Sequence, residues 1–192
     1  MSASPRVIAG RFRGRSLEAP AGLATRPTGA RVRESLFGIL GPLNGARVLD
    51  LYAGSGALAI EALSRGAVHA VLVERDRRAL AAIRANLESL SLGAEARVLS
   101  LPVERALSAL SGEEPFDLVL CDPPWAVGAS ALPVLGKLTL SGRLRPDARV
   151  VLEHPARERP EPPACLVRFD ERSFGDTGLS FLRPAIYCAV QP

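Results

Sequence analysis

Two rhythms of apolar residues alternate along most of the chain. Short runs with almost no polar interruption cover residues 46–52 (ARVLDLY), 69–74 (HAVLVE), 97–101, 116–121 (FDLVLC) and 148–153. Such runs predict strands buried on both faces. Between them the apolar positions fall at helical spacing. Leu58, Ala59, Ala62 and Leu63 share a face over residues 56–65, which Gly66 closes. Leu80, Ile83, Leu87 and Leu90 share another after Asp76, a capping residue. Residues 103–110 and 130–138 predict two further helices. An earlier helix is predicted from Thr28, as cap, to Leu40, with Val32, Leu36, Phe37 and Leu40 inward and Arg31 and Arg33 elsewhere; Gly41 and Pro42 stop it. Strands that alternate with helices imply an α/β fold with a mostly parallel sheet covered on both faces.

Both ends depart from this rhythm. Residues 165–190 hold two β-like runs around FGDTG, which predict an antiparallel hairpin at the sheet edge and bring the sheet to seven strands. The stretch RERPEPPA reads as a surface loop. The first 22 residues are short apolar pieces broken by Gly10 and Gly14, the pattern of a small β-hairpin. We therefore divide the chain into an N-terminal basic arm, residues 1–25, and a main domain, residues 26–192.

The strand ends carry the candidate chemistry. The first strand runs into LDLYAGSGALA, where Gly54, Gly56 and Ala59 satisfy a G-x-G-x-x-G/A pattern; Glu74 follows 18 residues after Gly56, at the end of the second strand. Glycines there let a ligand approach the backbone, and the distal acid can hold two ribose hydroxyls. Taken alone, the pattern permits a nicotinamide dinucleotide. Asp50 argues otherwise, because a carboxylate before the glycine turn repels a pyrophosphate. It suits a cation such as S-adenosylmethionine, which carries an ammonium, a sulfonium and no phosphate. The fourth strand stops on CDPPW. Pro123 and Pro124 cannot extend a ladder, so Asp122 and Trp125 are held at the carboxyl edge, where open α/β sheets bind ligands.

Charge adds a partner. The chain of 192 residues carries +4 overall, but Met1 to Arg33 holds seven arginines and one acid, +6, leaving the remainder at −2. Arginine's planar fork binds phosphate, so this crowding suggests a nucleic acid. Cys121, Cys165 and Cys188 lack metal-ligand spacing, and His69 and His154 stand alone, so free thiols and no metal are expected. No run of about 18 apolar residues predicts a membrane span, and the first ten residues lack a signal-peptide core. The expected setting is the cytoplasm, and nothing demands more than a monomer.

LDLYAGSGALAIEALSRGA, VLVERD, FDLVLCDPPW, FGDTGLSFLR and the opening RVIAGRFRGRSLEAPAGLATRPTGARVRESLF together resemble the RsmD-type bacterial methyltransferases. The resemblance covers nearly the whole chain; RFRGRSL and TRPT narrow it from the wider group of amino-methylating enzymes. It implies a Rossmann-like class I S-adenosylmethionine-dependent fold and methylation of the exocyclic N2 of one guanine in 16S ribosomal RNA, within a small-subunit assembly intermediate. It implies a methionine-binding loop at Asp50, Gly54 and Gly56, with Ala53 and Ser55 between them, and a ribose-binding acid at Glu74, followed by Arg75. It implies a catalytic tetrad of Asp122, Pro123, Pro124 and Trp125, whose aromatic stacks on the base. Arg11, Arg13, Arg15, Arg26, Arg31 and Arg33 are assigned to RNA backbone. One departure concerns the cofactor's adenine: family members carry an acidic or polar residue after the third strand, and here Pro102 stands at or near that place, with Glu104 two residues on. The rival readings are an adenine-N6 nucleic-acid methyltransferase, a nicotinamide dehydrogenase and a non-catalytic RNA-binding assembly factor.

Overall fold

A computed structural model describes residues 4–20, 29–125 and 128–185. Its elements run α1 (Ala30–Leu40), β1 (Arg47–Leu51), α2 (Ala57–Ser64), β2 (His69–Glu74), α3 (Arg77–Ser89), β3 (Ala96–Ser100), a 3₁₀ turn (Val103–Arg105), α4 (Ala106–Ala109), β4 (Phe116–Cys121), α5 (Gly128–Leu140), β5 (Leu144–Pro155), β6 (Leu166–Phe174) and β7 (Thr177–Pro184). The seven strands form one sheet in the order β3-β2-β1-β4-β5-β7-β6. The first five are mutually parallel, and β7 pairs antiparallel with both β5 and β6. This is the Rossmann-like class I methyltransferase arrangement expected from the chain.

The near-continuous apolar strands are sandwiched by two cores. Val48, Leu72, Leu118, Leu120 and Val151 pack toward α1, α2 and α3. Leu49, Val71, Val119, Val150 and Leu152 pack toward α4 and α5. Burying a large aliphatic side chain fully contributes about 1.5–3 kcal/mol, so these faces dominate the fold's stability. Asp76 caps α3 as its position predicts, accepting the N–H groups of Arg78 and Ala79 at 2.9 and 3.0 Å. The N-cap of α1 is Gly29, without a side-chain bond; the expected cap, Thr28, lies outside the described residues. Two elements are longer than their patterns suggest. β5 begins at Leu144, paired with Phe116, and its register then shifts before Leu118 meets Arg149. α5 tolerates Pro133 in its interior.

A single carboxylate fastens the amino ends of three strands. Glu113, in the loop before β4, receives Arg47 of β1 at 2.6 Å, Arg97 of β3 at 2.8 Å and lies 3.3 Å from His69 of β2. Burial pushes its carboxyl upward, but the Arg97 hydrogen bond and the charges of His69, Arg47 and Arg97 outweigh that and hold it below the usual range.

The N-terminal segment is a hairpin closed by Val7 N–H to the Arg15 carbonyl and Leu17 N–H to the Pro5 carbonyl. Gly10 and Gly14 take positive φ at its turn. Val7 and Leu17 insert into the same core as α1–α3. Glu61 of α2, fully buried, accepts the N–H groups of Ile8 and Ala9 at 2.7 and 3.0 Å and the Arg65 Nε at 2.7 Å. Ser64 donates to the Ala9 carbonyl and accepts from the Phe12 N–H. Asn86 of α3 bonds both backbone groups of Glu18. The hairpin is thus held through its main chain by side chains of α1, α2 and α3.

Candidate active site

The carboxyl ends of β1, β2 and β4 each finish on or beside an acid, Asp50, Glu74 and Asp122, and β5 carries Glu153 two residues before its end at Pro155. β1 turns away through Tyr52, a non-glycine residue at φ +61°. Positive φ at such a residue costs of order 1–3 kcal/mol and persists where surrounding structure enforces it. Gly54 and Gly56 follow at φ +57° and +78°, and a Cβ at Gly56 would lie 3.0 Å from a Leu72 methyl. The glycine requirement is therefore steric as well as conformational.

This loop is tied to its neighbours. The Ala53 N–H donates to the Val73 carbonyl at 3.1 Å. Glu74 draws in three backbone donors: Gly54 at 2.8 Å, Arg75 at 2.7 Å and Asp76 at 2.9 Å. Ser55 presents its carbonyl to Asn86 Nδ2 at 3.0 Å. The Asp122 N–H reaches the Leu51 carbonyl at 3.4 Å, joining the loop to the end of β4. The structure therefore brings Asp50, Ala53, Gly54, Ser55, Gly56, Glu74 and Asp122 to one edge of the sheet, with Arg75 exposed beside them.

Asp50 is 0% exposed. One carboxylate oxygen accepts the Ala59 N–H at 3.1 Å; the other is buried without a partner among the described residues. Burial first, then the nearby charges of Asp122 and Glu74, push its carboxyl up to about 8 against the opposing pull of the Ala59 N–H. An anion would be repelled here, and a cation would relieve both the orphan oxygen and the crowded negative charge. The charge of this pocket thus fits the positively charged S-adenosylmethionine. Beyond β3, Pro102 precedes the 3₁₀ turn, half-buried, and Glu104 is exposed.

At the end of β4, Pro123 is buried while Pro124 and Trp125 are exposed, the indole to 44%. Cys121, one residue earlier, is buried and free; burial, then Asp122 and Asp50, push its thiol up, which makes it a packing residue and not a nucleophile. Cys165 is also buried, its Sγ donating to the Gly136 carbonyl at 3.6 Å, and Cys188 lies outside the described residues.

The arginines divide. Arg33 corrects the expectation that it meets RNA: it is 3% exposed and donates to the Arg6 carbonyl at 2.6 Å, fastening α1 to the hairpin. Arg31 is exposed at the start of α1, upstream of Leu36, which lines the crevice below Asp122. Arg11, Arg13 and Arg15 are exposed at the hairpin turn. Arg11 pairs with Glu95, stacks over Phe12 at 4.6 Å, and Arg15 donates to the Ser89 carbonyl at 3.1 Å. Glu95 immediately precedes β3. This turn therefore sits at the amino ends of the strands, a strand length of ~20 Å from Asp122 and Trp125. Arg26 lies outside the described residues. Two buried residues went unassigned in the reading of the chain. Glu61 anchors the arm, and Glu153 sits beside Asp122. The signal for Glu153 was present, since it ends an apolar run as Glu74 does.

A mostly parallel sheet with this strand order, a glycine loop over a buried acid and an acid–proline–proline–aromatic elbow define a class I S-adenosylmethionine-dependent methyltransferase. The family model described as "Conserved hypothetical protein 95" matches residues 5–183. The chain belongs to that family, the RsmD type of methyltransferase. YlbH of Bacillus subtilis is 42% identical over 184 residues, 93% of this chain and 98% of that protein. Ribosomal RNA small subunit methyltransferase D of Escherichia coli is 44% identical over 125 residues, 64% of this chain and 61% of that protein. The solved structure of yhhF from Escherichia coli is 34% identical with a TM-score of 0.80, covering 95% of this chain and 98% of the other. Among the described residues no helix is long and apolar enough to cross a membrane.

Proposed function

We propose that this protein methylates the exocyclic N2 of a specific guanine in 16S ribosomal RNA during assembly of the small ribosomal subunit. The observation that carries the reading is the Asp122–Trp125 elbow, placed one strand from a buried acidic pocket suited to a cationic donor. The Escherichia coli relative's name, Ribosomal RNA small subunit methyltransferase D, supports the RNA class.

S-adenosylmethionine supplies, when bound, a methyl group activated by its sulfonium. The chain's task is to make the receiving nitrogen nucleophilic. The N2 lone pair of guanine is delocalised into the ring. Asp122 accepts one N–H of the amine and the Pro123 carbonyl accepts the other, which draws nitrogen toward tetrahedral geometry and frees the lone pair. The two prolines fix the acceptors before the base arrives, and fixed placement can remove on the order of 7–11 kcal/mol from a barrier. Trp125 stacks on the extruded base, worth about 1–3 kcal/mol.

The hairpin arginines Arg11, Arg13 and Arg15 then bind RNA backbone remote from the target, while Arg31 meets it near the crevice. A substrate that engages both ends must span the molecule, as a folded ribosomal particle does. Mass mapping of 16S ribosomal RNA from a deletion strain tests the reading. One guanine should lose its N2 methyl group and regain it with the restored gene. Unchanged methylation at every guanine refutes it. In the same system Asp122→Ala should retain donor affinity and abolish transfer, and near-normal turnover would remove Asp122 from its role.

A further inference from the structure

Glu153 ends the apolar part of β5 at the catalytic edge, one strand over from the elbow. The register pairs Cys121 of β4 with Leu152 of β5, so Asp122 and Glu153 follow side by side on parallel strands. Leu120 and Val151, two residues before each, pack in the same core, which places both acids on the α1 face of the sheet. Asp122 and Glu153 line one narrow crevice, floored by Leu36, Leu58, Leu120, Val151 and Leu179. Glu153 is 8% exposed.

Resting on the guanine-N2 reading, we infer that Glu153 is the specificity-determining acceptor for guanine, taking the N1–H of the base whose N2 amine is held at Asp122. Guanine presents two adjacent donors, N2–H and N1–H, on one edge. Neighbouring strands lie about 4.8 Å apart, so two carboxylates on adjacent strand ends form a matching pair of acceptors, the longer Glu153 side chain leaning toward N1. Adenine presents its amine beside an N1 lone pair, which a carboxylate repels. The Asp122–Glu153 pair therefore accepts guanine and rejects adenine through an unpaired acceptor facing a buried acid.

The test uses small-subunit particles in which the mapped target guanine is replaced by 2-aminopurine, which keeps the 2-amine but has an acceptor at N1. Wild-type protein should favour guanine in kcat/KM by on the order of 10²-fold or more, the scale at which a site built for an N–H rejects an analogue without one. Glu153→Gln, whose amide can donate to N1, should reduce that preference to under about tenfold, with donor affinity unchanged. The missing O6 of 2-aminopurine affects both proteins alike, so the change in preference reports Glu153. Equal wild-type rates on the two particles, or an unaltered preference in Glu153→Gln, overturn the inference; if that variant does not fold, Glu153→Ala is compared in the same way, and a preference equal to wild type overturns the inference. Failure to methylate N2 of any guanine refutes the proposed function and this inference together. Normal guanine methylation with an unaltered preference strikes Glu153 alone.

Discussion

Replacing Asp50 by Asn tests the electrostatic account of the donor pocket most directly. The side chain is 0% exposed and its carboxyl is pushed up to about 8, chiefly by lost hydration. At pH 7, about nine in ten unliganded molecules then carry a neutral Asp50. A sulfonium donor favours the ionised form, so binding at pH 7 must expel a proton, and affinity must rise about tenfold per pH unit up to pH 8 before levelling. Asparagine keeps the shape and the acceptor for Ala59 N–H but cannot titrate. Calorimetric titration with S-adenosylmethionine from pH 6 to 9, run on both proteins, subtracts the donor's own ammonium. The wild-type line of log affinity against pH should be steeper by about one unit below pH 8 and parallel above it. Folding carries the opposite sign. A raised folded-state pKa contributes stability in full below the ordinary carboxylate range and loses it as pH climbs toward 8. Unliganded Asp50→Asn should therefore match wild type near pH 4 and exceed its Tm at pH 8. Parallel binding lines between pH 6 and 8 would refute the reasoning.

Three other perturbations probe the frame. Gly10→Ala puts a Cβ 1.8 Å from the Ser64 carbonyl oxygen at φ +81°, whereas Gly14, at φ +82°, faces open space. Gly10→Ala should cost roughly 2–4 kcal/mol and Gly14→Ala about 1 kcal/mol, so equal Tm values in calorimetry would refute the docked turn. Glu113, held low by Arg97, His69 and Arg47, contributes stability at neutral pH that is lost as pH falls below its ordinary value of 4.5 and through its depressed one; Glu113→Gln should flatten the acid limb of a Tm–pH curve, and an unchanged limb would count against the clasp. Neutralising Arg11, Arg13 and Arg15 should lower the slope of log affinity for the particle against log salt by about 2 to 3, while Arg33→Gln should lower Tm without moving that slope; an unaltered slope in the triple variant would remove the hairpin from the RNA contact.

What could be read along the chain was whatever leaves a local trace. A parallel strand buried on both faces must be apolar throughout, so HAVLVE and FDLVLC match β2 and β4 residue for residue. Asp76 caps the helix that follows it, and Gly54 and Gly56 take the conformations their loop demands. The rest depends on distant partners. Glu61 sits in α2 paired with Arg65 like any surface acid, yet it also holds backbone groups more than 50 residues earlier. Arg33 reads as a phosphate contact in a basic stretch, but folding hands it the Arg6 carbonyl. The start of β5 is hidden by Arg145, Pro146 and Asp147, which suit a turn until Phe116 pairs with Leu144. Glu153 gains meaning only once β4 and β5 lie side by side.

The hairpin's attachment has a consequence for how its tip can change. Between Ile8 and Phe12 the fastening uses peptide groups, answered by Glu61 and Ser64. Side-chain identity matters to the mount chiefly at Gly10, at Phe12 packed on the core and at Arg11 paired with Glu95, so the other letters of the tip can follow a drifting binding partner while the catalytic end stays as it is.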